Sequence, residues 1–273
     1  MRRVLAHRSI VIGGALVLLV ALVAVFAGLI APYDPLASNF HARLQAPSVE
    51  HWFGTDHFGR DVLSRVIYGG RLSLEIGLFV VLMTGFYGTL IGSLAGYYRR
   101  LDGPIMRVMD ALMAFPAILL ALTVSATLGA SVSNVVIALA VATTPHTARI
   151  VRSSVLVVRE MQYVEAARAL GAGDLRILWF HVLANSLAPL IVRLTFVFAS
   201  AILAEAVLSF IGVGPPPPAP SFGNIIANGR DFMVEAPWVT IFPGLAIVVC
   251  VLGLNLLGDG LRDLLDPRIK VGP

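Results

Sequence analysis

Glu165, Arg168 and Asp174 stand in a charged segment, Glu160 to Asn185, with long apolar runs on both sides. Side chains of these types make salt bridges and hydrogen bonds to a docked partner; bond-breaking chemistry would need a nucleophile–base set. Arg193 and Glu205 fall within an apolar run, where ionisable groups are costly and usually face a cavity or a partner. Glu205 could line a pathway, with Phe210 beside it, and meet a cargo's ammonium group; or it could hydrogen-bond a neighbouring helix. Arg193 can snorkel toward the interface. Arg107 and Asp110, three apart, fit an interfacial ion pair; a proton relay would need further His, Asp or Glu across the membrane. His51, Asp56 and His57 could hold a metal such as nickel, or could be solvated loop residues. Cys250 is the single cysteine, so an intrachain disulfide and a Cys-based metal site are excluded. Lys270 is the only lysine and sits at the tail, so a phosphate-cradling loop ending in Lys-Ser/Thr is absent.

The chain that must position these groups is strongly apolar. Of its 273 residues 58% are hydrophobic and 13% charged, against about 25% charged in a soluble domain. Mean hydropathy is +0.86. The composition is that of an integral membrane protein. The net charge of +4 is spread along the chain and gives no nucleic-acid footprint.

Arg2, Arg3 and Arg8 precede an apolar run from Ile10 to Ala31, long enough for a span of about 20 residues. A cleaved signal peptide has a shorter apolar core, so an uncleaved anchor is expected, its N-terminus in the cytoplasm. Residues 32–71 read as a polar outer loop. Within it Val62, Leu63, Val66 and Ile67 alternate with Arg60, Asp61, Ser64 and Arg65, predicting an amphipathic helix on the membrane or a partner. A core of five further spans is expected over 72–260: about Leu72–Tyr98, Pro104–Leu128, Val132–Val151, Leu187–Val213 and Val239–Leu257. In the first of these, Gly88, Gly92 and Gly96 form a ridge at spacing four for close helix packing. A cytoplasmic tail, 261–273, follows. The fold class is all-α integral membrane with about six spans and both ends inside, as the arginine distribution requires.

The charged segment (159–186) reads as two short helices. Tyr163 to Leu170 is rich in helix formers. Gly171 stops it by turning left-handed, and Asp174 is expected to cap a second helix, Leu175 to Ala184.

Glu165-Ala166-Ala167, Gly171 and the apolar run after it resemble the "EAA" loop of permease subunits in binding-protein-dependent ABC importers. Many relatives carry Leu-Pro where this chain has Leu183-Ala184. Gly54-Thr55-Asp56 through Gly59-Arg60-Asp61, Ser64-Arg65 and Tyr68-Gly69 resemble the family's "GTDxxGRDxxSRxxYG". The start of the third span resembles "MRxxDxxxxFP", Ala206 to Gly212 with the prolines Pro215 to Pro218 resembles "SLSFLGLG…PPxPxWG" with Phe222 for Trp, and Gly258 to Arg268 resembles "NLLGDxLRDxLDPR". The resemblance covers about Ala31 to Arg268 and is nearest to the C-type subunit of dipeptide and oligopeptide importers, with nickel and glutathione importers sharing the pattern.

The resemblance implies a type I importer permease with a cytoplasmic coupling helix, in the bacterial cytoplasmic (inner) membrane. It implies a homologous second permease, which the Gly88, Gly92, Gly96 ridge could face. It also implies two ATP-binding subunits and an extracytoplasmic binding protein. The coupling residues would be Tyr163, Glu165, Ala166, Ala167, Arg168, Leu170, Gly171 and Asp174. This chain would be a transport subunit without catalytic, metal or cofactor-binding residues, ATP and Mg being held by the partners. A secondary transporter would instead show buried acid relays or broken helices in repeated halves; a membrane enzyme would show a convergent catalytic cluster.

Overall fold

The computed structural model describes residues 8–265; Arg2, Arg3, Arg268 and Lys270 lie outside the described residues. Ten helical segments carry the architecture: α1 (Arg8–Val25), α2 (Ala27–Ile30), α3 (Val62–Tyr97), α4 (Arg99–Met113), α5 (Ala117–Leu128), α6 (Val132–Val158), α7 (Gln162–Ala169), α8 (Asp174–Ile211), α9 (Phe222–Gly229) and α10 (Trp238–Leu265). Among the described residues there is no strand, only an isolated bridge between Thr55 and Asp61. Helices α1, α3, α6, α8 and α10 are each long and apolar enough to cross a membrane, and α4 with α5 makes a sixth span if counted together. One end of the bundle carries the loops 31–61 and 212–237, the loop end. The opposite, arginine end carries Arg99, Arg100, Arg149, Arg152 and Arg159.

Three expected elements differ. The amphipathic segment around Val62 is no separate surface helix; it is the first two turns of α3, so the second span starts at Val62 rather than Leu72. Its polar groups are satisfied by the preceding loop instead of by headgroups. Asp61 caps α3, Oδ2 accepting from Ser64 N and Ser64 Oγ at 2.7 Å each. Asp56 accepts from Arg60 Nε at 2.7 Å and lies 3.5 Å from Arg65 Nε, while Arg65 Nη1 donates to Pro35 O at 3.2 Å. Trp238 of α10 donates its indole N–H to Thr55 O at 3.1 Å, and Phe53 stacks on Phe242 at 3.9 Å. The "GTDxxGRDxxSR" residues are thus a knot that ties the loop to α3 and α10.

The third span is not straight. It breaks at Ala114–Pro116, and α4 and α5 meet at 89°. A proline disfavours helix at the residue before it, here Phe115, and α4 alternates Arg99, Arg100, Asp102, Arg107 and Asp110 with apolar residues, a pattern for lying along an interface. Asp110 pairs with Arg149 of α6 rather than with Arg107, and Arg152 pairs with Asp102. These pairs hold α4 against α6.

The Gly88, Gly92, Gly96 ridge serves its own chain, not a partner permease. A Cβ at Gly88 would stand 2.7 Å from Thr147 Cγ2, and one at Gly96 2.8 Å from Val155 Cβ. Only glycine lets α3 and α6 approach that closely.

Candidate functional site

The site is the arginine end between α6 and α8. Val164 anchors α7: it is fully buried in an apolar cluster with Val151, Val155, Val158, Ile177 and Val182. That one buried position fixes which face of α7 looks out. Tyr163, Glu165, Ala166, Arg168 and Leu170 are exposed, Leu170 to 89%, and Ala167 is half-buried toward the cluster. Glu165 has no ion-pair partner among the described residues. Leu175, at 68% exposure, extends the apolar patch across the turn.

Gly171 ends α7 with φ +83°. Its N–H reaches Arg168 O at 3.0 Å and Ala172 N–H reaches Ala167 O at 3.1 Å, the paired bonds of a left-handed helix stop. Asp174 departs from the expected role. Gly173 is the residue before α8 and Asp174 makes no capping bond; its carboxylate accepts from Tyr97 Oη at 2.6 Å instead. Nor is there a separate second helix. Residues 174–176 pass through a wide π-helical stretch, Ile177–Leu183, straight into the fifth span. Ala184 has the backbone N–H that a proline there would lack, and the helix runs on through it. A cavity of about 470 Å³ lies beside the turn, lined by Tyr97, Arg99, Arg100, Arg159, Glu165 and Arg168.

The other candidates lie elsewhere. Glu205 is fully buried, and its carboxylate accepts from Ser73 Oγ at 2.8 Å and Ser209 Oγ at 2.7 Å, a tie between α3 and α8 with no open space before it. Phe210 is 39% exposed at the loop end, with the Arg230 guanidinium 5.9 Å from its ring. Arg193 is half-buried with Nε unpartnered. His51, Asp56 and His57 do not converge: His51 Nδ1 meets Asp61 at 2.9 Å, Asp56 holds Arg60, and His57 stacks on Phe232 at 5.2 Å. Burial, helped by the nearby arginines and opposed by Asp56, holds the His57 imidazole below the usual histidine range.

Residues 88–271 match a family described as binding-protein-dependent transport system inner membrane component. The chain belongs to that family. Residues 1–47 of this permease also match the N-terminal transmembrane domain of oligopeptide transport permease C. A putative peptide transport system permease protein of Brucella abortus is 57% identical over 99% of this chain and 91% of its own length. A dipeptide transport system permease protein of Alkalihalophilus pseudofirmus is 45% identical over 97% and 87%. A glutathione transport system permease protein of Pectobacterium atrosepticum is 45% identical over 98% and 90%. An inward-facing structure of the MetNI methionine ABC transporter aligns with a TM-score of 0.62, covering 75% of this chain and 97% of that one. At 18% identity that likeness speaks for the fold alone, and the fold is the type I ABC importer permease.

Proposed function

We propose that this permease forms half of the membrane pathway of a bacterial importer for short peptides and is driven by ATP hydrolysis on two partner subunits. The observation that carries the reading is α7: a helix anchored by one buried valine that leaves Leu170, Glu165 and Arg168 exposed, Glu165 without an ion-pair partner among the described residues. Exposed leucine beside unpaired charge is the composition of a docking surface. The ATP-binding subunits would hold ATP and Mg and seat against α7; this chain would carry no cofactor. A homologous permease would complete the pathway, and an extracytoplasmic binding protein would deliver cargo at the loop end. The arginine end would face the cytoplasm, with both termini there. Closure of the ATPase pair moves α7, and the spans follow, because a rigid helix bound differently in two states shifts the balance between them. Phe210 would line the pathway.

Peptide cargo is favoured over nickel because the relatives named for transport carry peptides or glutathione, and His51, Asp56 and His57 are each engaged elsewhere. The test is uptake of labelled dipeptide by proteoliposomes holding the whole complex, with glutathione and Ni²⁺ as competitors. Uptake should require ATP and yield to unlabelled peptide. Uptake that survives without ATP and collapses with the proton gradient would overturn the reading; competition by glutathione or Ni²⁺ alone would overturn the choice of cargo.

A further inference from the structure

We propose that Tyr97 and Arg159 are positioning residues that bolt the docking turn to the end of α3, so that α7, the end of α6 and the whole of α3 move as one body. The proposal rests on the reading of α7 as the docking helix.

Tyr97, the last residue of α3, donates its hydroxyl to Asp174 Oδ1 at 2.6 Å. Arg159, just past α6, donates from Nη1 to Gly96 O at 2.7 Å and to Tyr97 O at 3.4 Å. Those carbonyls are among the last of α3, which lack helical partners, and a cation there complements the helix dipole. The Arg159 side chain is 14% exposed and its Nε lies 3.1 Å from Glu160 Oε1. Val164 and Ala167 of α7 add apolar contacts to the bundle, and the Tyr163 ring lies 6.5 Å from that of His181. Apolar contact resists separation but not sliding; directed bonds to a helix end resist both.

Helix α3 suits the task of carrying displacement. It runs 36 residues, about 54 Å at the usual rise, with no internal proline. Helices α6, α8 and α10 contain Pro145, Pro189 and Pro243, and proline is where long helices bend. The far end of α3 is tied by Asp61, Arg65 and the Thr55–Trp238 bond into the loop end. A push at α7 therefore reaches the opposite face through one stiff rod.

The experiment uses the complete complex in proteoliposomes, with dipeptide uptake and ATP hydrolysis measured in the same vesicles. Tyr97→Phe and Arg159→Gln should assemble and hydrolyse ATP at the wild-type rate while cargo moved per ATP falls about tenfold, the scale of one charge-assisted bond. Asp174→Asn keeps an acceptor but loses its charge and should lower the ratio less than Asp174→Val does, and Tyr97→Phe with Asp174→Val should be no worse than either alone. An unchanged ratio in Tyr97→Phe, or uptake and hydrolysis falling in step, overturns the latch. Tyr97→Phe removes one oxygen and decides the matter if Arg159→Gln fails to assemble. Wild-type uptake without the ATP-binding subunits would overturn the docking reading itself.

Discussion

At the scale of single residues, Gly171 is the position where one side chain should separate folding from transport. Its φ of +83° lies in the left-handed region, and a Cβ there would meet no atom within 4 Å. The cost of a substitution is therefore backbone strain alone, about 1–2 kcal/mol, released by turning the joint. Gly171→Val should leave the protein in the membrane at wild-type abundance and abolish uptake; wild-type uptake by that variant would exclude a fixed joint. Asp174 and Glu205 teach a different lesson. Asp174 is an acid that local rules read wrongly as a helix cap, and Glu205 is one for which they left a pathway role and a helix–helix bond both open. Their partners, Tyr97 and Ser73, lie 77 and 132 residues away in the chain, and no local pattern holds that information.

At the scale of elements, the α3–α6 contact leaves no room for added side chains. At Gly92 an added Cβ would press on the Ala148 carbonyl and stand 2.8 Å from Val151 Cβ, so a backbone must move. Gly92→Val should cost about 1–3 kcal/mol by overpacking and lower the midpoint of thermal unfolding in detergent, whereas Gly129→Val, which meets nothing within 4 Å, should lower it by the strain at φ +88° alone. Equal losses at the two positions would argue against the close approach. The ridge was legible because spacing four is a helical rule, and the spans were legible because hydropathy is averaged over many residues. Its neighbour was not, because glycines do not say what they face. The break at Phe115-Pro116 carried a signal in the proline, masked by apolar residues on both sides. The continuity of α8 was hidden by the polar residues between Asp174 and Asn185, which separate the expected second helix from the fifth span although the helix runs on.

At the scale of the molecule, the chain is a bundle whose two ends are wired differently. The loop end is tied by many short-range bonds among Asp56, Arg60, Asp61, Ser64 and Arg65. The arginine end presents one exposed helix held by a buried valine and a helix-end latch, beside the ion pairs Arg149–Asp110 and Arg152–Asp102 that hold α4 against α6. Such an arrangement suits a body that is moved from the arginine end and transmits the movement across. The account stands on α7 meeting the ATP-binding subunit. A photo-reactive side chain placed at Leu170 of the assembled transporter measures this directly. Irradiation should join this chain to the ATP-binding subunit in high yield, while the same group at Val49, 94% exposed at the loop end, should not. Joining at Leu170 to lipid alone, or to no protein, would contradict the account.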